Sequence, residues 1–350
     1  MASPVQTLQP DSAQPQVTIA QAFAPDRPAA NLSVTPDLRP TPPQTFDLDR
    51  VVADLAQARQ DWRGLRDRSA EPFGRELPSA AVVRGIVEGL RGILFPMRLG
   101  PADLRPESEN YYVGQTLSTV LQDLTAQVRL ELLWAERHAL ATADLPADLA
   151  ALRLVQDFAS SLADIRRLLD TDVRAAFAAD PAARSVDEVL LCYPGVHAMI
   201  SHRIAHRLHR LGLPLLARLV AELSHSATGI DIHPGATIGQ SFFIDHGTGV
   251  VIGATAIIGN RVQIFQAVTL GAKSFPTDES GNAIKGLPRH PVVQDDVVIY
   301  SGATVLGRVT IGRGAVLGGN VWVTEDVPPH AVISQAKAQR EADLAERKLA

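Results

Sequence analysis

Five residues in the second half of the chain have the types needed for proton transfer and for gripping a charged small molecule. They are Asp231, the pair Asp245-His246, and the pair Arg289-His290. A neutral imidazole, with an unperturbed pKa of about 6.5, can accept a hydroxyl proton while that hydroxyl attacks a carbonyl carbon. A carboxylate on the other ring nitrogen would fix the tautomer and stabilise the imidazolium that forms. A planar guanidinium can clamp a carboxylate through two parallel hydrogen bonds. Asp245 and Arg289 carry charges of opposite sign. At a loop edge the same two residues would form only a solvated pair.

The elements that must position them show a period of six. Ile299, Val305, Ile311, Leu317 and Val323 recur at that spacing, with Val293 extending the series backward. Ile252, Ile258, Ile264 and Leu270 form a second series, and Ile232, Ile238 and Ile244 a third. Small residues fall four places after the aliphatic one at Ala236, Ala256, Ala303 and Ala315. Neither a helix nor a two-sided strand has this period. A coil of short strands does, with every sixth side chain turned into a buried column. Residues 229–330 are therefore expected to form a β-helix of hexapeptide repeats. The series breaks twice. Eight residues separate Ile244 from Ile252, beside Asp245-His246, and a polar excursion, GAKSFPTDESGNAIKGLPRHPV, separates Leu270 from Val293. Its Pro, Gly, Asp and Asn exclude a regular coil, so 271–292 is read as a protruding loop of the kind that serves binding.

Residues 47–228 read as helical. Ile86, Leu90 and Ile93 share one helix face, as do Leu117, Val120, Leu121 and Leu124. Leu152, Val155, Phe158, Leu162, Ile165 and Leu169 line another, and Pro146 and Pro181 mark helix boundaries. Residues 1–46, rich in Pro, Gln, Ser, Thr and Ala, carry no hydrophobic period and are expected to be disordered. Residues 331–350 return to a charged, helical composition. The fold class expected is α+β, an all-helical domain followed by the β-helix.

Composition narrows the function. Hydrophobic residues make up 46% and charged residues 20% of 350, as in a soluble globular protein, and the net charge of −5 comes without a basic stripe for nucleic acid. The longest apolar stretch, Leu211 to Leu223, is interrupted by Pro214, Arg218 and Glu222, so no membrane span is expected. With no basic n-region before an apolar stretch and with Cys192 as the single cysteine, a cytoplasmic location is expected. Cys192 lies outside the chemistry-bearing segments and is expected to be buried and inert.

The segment DIHPGATIGQSFFIDHGTGVVIG, followed by VTLGA and then RHP, resembles the serine acetyltransferases. The resemblance covers about residues 180–330, starting near DPAARSVDEVLLCYPGVHA, and the long loop and IDHGTGVVIG suggest the branch with long N-termini. It implies a left-handed parallel β-helix and transfer of acetyl from acetyl-CoA, a cosubstrate, to L-serine, the first step of cysteine biosynthesis from serine. It also implies His246 as general base, Asp231 as the carboxylate that orients it, and direct transfer through a tetrahedral oxyanion. Asp245 would hold the serine amino group, Arg289 the carboxylate, and His290 would lie beside the hydroxyl. The coenzyme would lie between neighbouring β-helices, near Gly271 and Ala272 and, on later coils, Gly302, Ala303, Arg308 and Arg313. A homotrimer, or a dimer of trimers, follows from the same resemblance.

Asp180, followed by Pro181, matches a helical-domain acid that binds serine in short relatives. Asp187 is its rival, and capping of a helix start is the plain alternative for Asp180. The chain departs from the family pattern at Ala254, where many relatives carry glutamate. It departs again at Leu349-Ala350, where many end in the isoleucine that docks O-acetylserine sulfhydrylase, which leaves that partnership possible but doubtful. A β-helix acyltransferase for a sugar or antibiotic, and a non-catalytic partner of cysteine synthesis, are the alternatives; the first would have no need of Asp245 with Arg289. His202, His206 and His209, at i, i+4 and i+7, could face a metal, but Arg203, Arg207 and Arg210 are interleaved and a packed helix face is expected. His233, His246 and His290 invite comparison with zinc-dependent β-helix hydratases, which use a tighter ligand cluster. No metal is expected.

Overall fold

A computed structural model describes residues 46–64, 77–138, 140 and 145–335. The chain divides into two compact units, Met1–Pro72 and Phe73–Ala350. In the first, α1 (Leu48–Gly64) is the element described. The second starts with α2 (Ala80–Leu94), α3 (Pro96–Leu99), a 3-10 turn at Pro106–Ser108, and α4 (Glu109–Arg137). It continues with α5 (Ala147–Ser160), α6 (Leu162–Ala179), α7 (Val186–Cys192), α8 (Pro194–Arg210) and α9 (Pro214–Thr228). The segments 1–45 and 336–350, where a disordered N-terminus and most of a helical tail are expected, lie outside the described residues.

The apolar faces pack as their spacing requires. Ile86 and Leu90 of α2 and Val120 and Leu124 of α4 are buried in one core, with Ile93, Leu117 and Leu121 packed against it. Polar residues of α4 serve helix starts, whose first N–H groups have no intrahelical acceptor. Gln127 Oε1 accepts the Ser79 N–H at 2.7 Å, just ahead of α2. The buried Glu131 accepts the N–H groups of Leu215 and Leu216, both at 2.8 Å, after Pro214 opens α9. The run from Leu152 to Leu169 is two helices rather than one face. The chain turns at Ser161, whose hydroxyl donates to the Phe158 carbonyl at 2.6 Å, and Leu152 is left 48% exposed.

Among the described residues fourteen short strands follow: β1 (Asp231–Ile232), β2 (Thr237–Ile238), β3 (Phe243–Ile244), β4 (Val251–Ile252), β5 (Ile257–Ile258), β6 (Gln263–Ile264) and β7 (Thr269–Gly271). The rest are β8 (Val292–Val293), β9 (Val298–Ile299), β10 (Thr304–Leu306), β11 (Thr310–Ile311), β12 (Val316–Leu317), β13 (Trp322–Val323) and β14 (Val332–Ile333). They pair in parallel in three sheets. The first runs β1-β4-β7-β10-β13, the second β2-β5-β8-β11, and the third β3-β6-β9-β12-β14. The sixfold aliphatic residues stack in register, as in Ile232, Ile252, Leu270, Val305 and Val323, and all are buried. Ala236, Ala256, Ala303 and Ala315 are buried between the columns at the turns. The third sheet continues to β14, so Val332–Ile333 is strand where composition suggests the start of a helix.

Side chains link successive coils along the edge between the second and third sheets. Asn260 Oδ1 accepts the Gln240 N–H at 3.0 Å, and Asp295 Oδ1 accepts the Asn260 N–H at 2.9 Å. The helices are pinned to the coils by a buried ion pair. Arg203 of α8 grips Asp172 of α6 at 3.1 Å and donates to the Gly239 carbonyl at 2.6 Å, while Asp172 Oδ1 accepts the Phe242 N–H at 2.9 Å. Gly195, in the first turn of α8, lies so close to the end of β3 that a Cβ there would stand 2.2 Å from the Ile244 carbonyl oxygen. No helix among the described residues is long and apolar enough to cross a membrane.

Candidate active site

The two residues beyond the repeat, between Ile244 and Ile252, widen the edge between the third and first sheets. There the backbone enters the left-handed region at His246, Gly247 and Gly249, with φ of 57°, 90° and 79°. Gly247 has a second reason to be glycine, since a Cβ would stand 2.4 Å from Ile230 Cδ1. The Asp245 N–H is fixed to the Ile264 carbonyl at 2.9 Å. His246 projects its ring outward, with its side chain 72% exposed and Nδ1 3.9 Å from Asp245 Oδ1. Asp231 is on the first strand of the adjoining sheet, its N–H bonded to Val250 O at 2.9 Å. Asp245 is the acid whose carboxylate lies within 4 Å of the ring, and no hydrogen bond joins the Asp231 carboxylate to His246.

The helices bring a third acid to this edge. Asp180 ends α6; its Oδ1 accepts the Ala182 N–H at 2.8 Å, and its Oδ2 accepts the hydroxyl proton of Tyr193. The Tyr193 bond, then the Ala182 bond and a weaker attraction to His246, hold the Asp180 carboxyl below its ordinary pKa. The same bond pushes the Tyr193 phenol up to about 12. Tyr193 is the residue before α8, two places from Gly195, which is how the close approach to β3 carries it to the edge. Asp187 lies elsewhere, paired with Arg98 at 2.6 Å. The helix start that an aspartate might have capped, α7, is capped by Ser185, which accepts the Glu188 N–H at 3.0 Å. Tyr193 was not legible in the sequence, because a lone tyrosine before a proline carries no periodic signal.

A second cluster forms where the excursion returns, at the edge between the first and second sheets. Thr255 Oγ1 accepts the N–H groups of Arg289 and His290 at 2.9 and 3.1 Å. The buried His290 turns Nδ1 toward the Thr255 hydroxyl at 2.9 Å and the Thr255 N–H at 3.1 Å. Gly253 lets the ring in, since a Cβ there would stand 1.9 Å from His290 Cδ2. Burial, with Arg289 and Arg308 nearby, lowers His290 to about 4. Arg289 Nη1 donates to Leu287 O at 3.3 Å, and its Nε is buried without a partner. Gly253 and Thr255 look like ordinary small residues of a repeat, which is why the sequence hides them.

The two clusters stand on different edges, separated by the width of the first sheet, roughly 15 Å at 3.3 Å per extended residue. A molecule the size of an amino acid cannot touch both within a single chain. The expected coenzyme residues are divided in the same way. Gly271 and Ala272 begin the excursion near His290, whereas Gly302 and Ala303 lie on the edge of His246, two coils on. Ala303 points its side chain into the core and is fully buried. Arg308 donates from Nη1 to the carbonyls of Thr255 and His290, at 2.7 and 3.0 Å, and so ties down the returning loop. Arg313 lies on the remaining edge, 3.4 Å from Asp295 and 3.8 Å from Asp296.

The histidines of α8 pack the helix on the coil. His202 is fully buried with both ring nitrogens unpartnered, His206 Nδ1 lies 2.8 Å from Pro234 O, and His209 meets His233 edge-on at 6.0 Å. Among the described residues no three His, Cys, Asp or Glu side chains are grouped to hold a metal. Cys192, at the end of α7, is exposed rather than buried.

The bacterial transferase hexapeptide family (six repeats) matches residues 290–325. A plasmid-encoded serine acetyltransferase of Synechococcus elongatus is 54% identical over 297 residues, 84% of this chain and 92% of that protein. The chain belongs to the serine acetyltransferase family. Another member, from Bacillus subtilis, is 49% identical over 167 residues, 48% of this chain and 73% of its own. The crystal structure of Entamoeba histolytica serine acetyltransferase 1 in complex with L-cysteine matches with a TM-score of 0.62 and 34% identity. It covers 83% of this chain and all of that one. The fold is that of the family, a helical region followed by a left-handed parallel β-helix of hexapeptide repeats.

Proposed function

We propose that two copies of this chain build one catalytic site, the His246 edge of one facing the His290 edge of its neighbour. The chain is a serine O-acetyltransferase, an acyltransferase that moves an acetyl group from acetyl-CoA to the hydroxyl of L-serine and gives O-acetylserine and CoA. The observation that carries the shared site is the division of His246 and Arg289-His290 between two edges of one β-helix. Closed cyclic symmetry joins such unlike edges all the way round, and a homotrimer satisfies it. A cytoplasmic location suits a step of amino-acid synthesis.

Each residue then has a chemical task. His246, exposed and beside two carboxylates, takes the hydroxyl proton as the oxygen attacks the thioester carbonyl. Asp245 stabilises the imidazolium at 3.9 Å, and Asp231, one coil below on the adjoining sheet, is the carboxylate that orients the ring. Asp180 and Asp245 offer negative charge to the serine ammonium. Arg289 of the neighbour offers its guanidinium to the serine carboxylate. The tetrahedral oxyanion collapses with loss of the CoA thiolate, and the imidazolium returns the proton to it. The groove between the two edges, lined by Gly271, Ala272 and Gly302, is where the pantetheine arm would lie.

The test is release of CoA from acetyl-CoA by purified protein with and without L-serine, comparing wild type with His246→Ala. Serine-dependent release that is lost in the variant supports the reading. Wild-type protein without serine-dependent release removes it and directs attention to other acceptors.

A further inference from the structure

Thr255 is placed to do more than fill a turn. Its hydroxyl oxygen has two lone pairs and one proton. Both lone pairs are taken by the N–H groups of Arg289 and His290, at 2.9 and 3.1 Å. The hydroxyl can therefore meet His290 Nδ1, 2.9 Å away, only as a donor. The Thr255 N–H points at the same nitrogen from 3.1 Å. A ring nitrogen facing two donors must present its lone pair, so the proton of the neutral ring sits on Nε2. The imidazolium is disfavoured by the same geometry, because its Nδ1–H would oppose both donors. Arg289 and Arg308 add to that preference, since their positive charges disfavour a charged ring.

We infer that Thr255 is a positioning residue that locks His290 as the neutral Nε2–H tautomer, making it a hydrogen-bond donor to the reacting oxygen rather than a base. One hydroxyl sets the tautomer and also holds the backbone that carries the Arg289 guanidinium. Arg308, bonded to the carbonyls of both Thr255 and His290, closes the same unit from the other side. The inference rests on the acetyltransfer reading for its consequence, but the tautomer itself can be observed without turnover.

The experiment has two arms on the full-length protein. In the first, ring nitrogens of 15N-histidine-labelled wild type and Thr255→Val are compared by NMR, with His290→Asn assigning the signal. Wild type should show His290 neutral with its proton on Nε2, and the valine variant should lose that pure tautomer. A wild-type ring protonated on Nδ1 would overturn the inference, whatever the enzyme does. In the second, steady-state kinetics compare Thr255→Val with Thr255→Ser. The valine variant loses all three bonds of the hydroxyl and should lose at least about tenfold in kcat/KM for serine, the effect of the bond to Nδ1 alone, with KM for acetyl-CoA unchanged. The serine variant, which keeps the hydroxyl, should stay close to wild type. Equal losses in both variants would assign the effect to the methyl group and overturn the inference. An absence of serine turnover in wild type would instead defeat the reaction assignment and leave the tautomer result standing.

Discussion

Mixing two inactive variants should restore activity if one site draws on two chains. His246→Ala removes the base from one edge of the β-helix, and Arg289→Ala removes the carboxylate clamp from another. The two edges lie about 15 Å apart in the same chain, so each variant alone has every site damaged and should show very low activity. When the two variants assemble at random in equal amounts, a good site needs an intact His246 edge from one and an intact Arg289 edge from the other. Each interface meets both conditions with a chance of about one in four in the random mixture; a mixed trimer always has one good interface of its three, so the isolated mixed trimers should recover roughly a third of wild-type kcat, a figure set by closed cyclic assembly. The KM for serine in those restored sites should be that of wild type. The assay is CoA release after co-expression with two different tags and isolation of mixed oligomers by tandem purification. A mixed oligomer no more active than its parents would mean that each site is built within one chain, and would refute the assignment of the two edges to a shared site.

Four other outcomes follow from distances already given. Gly253→Ala puts a methyl group where the His290 ring lies and must displace that ring by about 1.5 Å. The expected loss is about a hundredfold in kcat/KM, the usual cost of misplacing a reacting group on this scale, with little change in helix content by circular dichroism; near-normal kinetics would contradict the placement of His290. Asp180→Asn should raise KM for serine severalfold, whereas Asp187→Asn, on the Arg98 pair, should leave serine kinetics unchanged; the reverse would move the ammonium site. Arg203→Met strands the buried Asp172 carboxylate and should cost about 3–5 kcal/mol in urea unfolding, with the double variant Arg203→Met/Asp172→Leu recovering part of it. Acid should weaken the fold through His233 and His290. Burial lowers both to about 4, against about 6.5 when unfolded. Their contribution is complete above pH 6.5 and is lost as pH falls from there toward 4, because the unfolded chain binds the protons first. Each adds a slope of at most about 1.4 kcal/mol per pH unit, so a urea midpoint that stays flat from pH 6.5 to 5 would exclude them as the cause.

The sequence made the buried columns legible because a side chain that enters a β-helix every sixth residue leaves an aliphatic signature no other fold shares. It also pointed to His246 and Arg289-His290, which stand where that signature breaks. The edge each residue occupies was harder to read. The excursion before β8 hides the count of turns, and nothing in a one-dimensional pattern states that His246 and His290 face different directions. The helical run from Leu152 to Leu169 keeps its hydrophobic spacing across Ser161, so periodicity alone could not show the break. Tyr193 and Thr255 act through hydrogen bonds to residues 13 and 35 positions away, a kind of information that local spacing does not hold. The partners of Arg308 and Arg313 were equally hidden, because a sequence does not show which carbonyls or carboxylates a guanidinium meets.

Both clusters sit where the coil changes direction, and the residues that keep the coils in register point the other way, into the column. The hairpin between β7 and β8 leaves and re-enters the coil through Gly271 and Val292, and Leu270 and Val293 still stack on Ile252 and Ile258 as if it were a short turn. The same holds for the two added residues beside His246, above which β4 pairs with β7 without a shift. Evolution can therefore lengthen, shorten or rewrite the corners of this prism at almost no cost to the frame that stacks beneath them. A new acceptor specificity would be sought most profitably by grafting loops between Gly271 and Val292, with the columns left untouched.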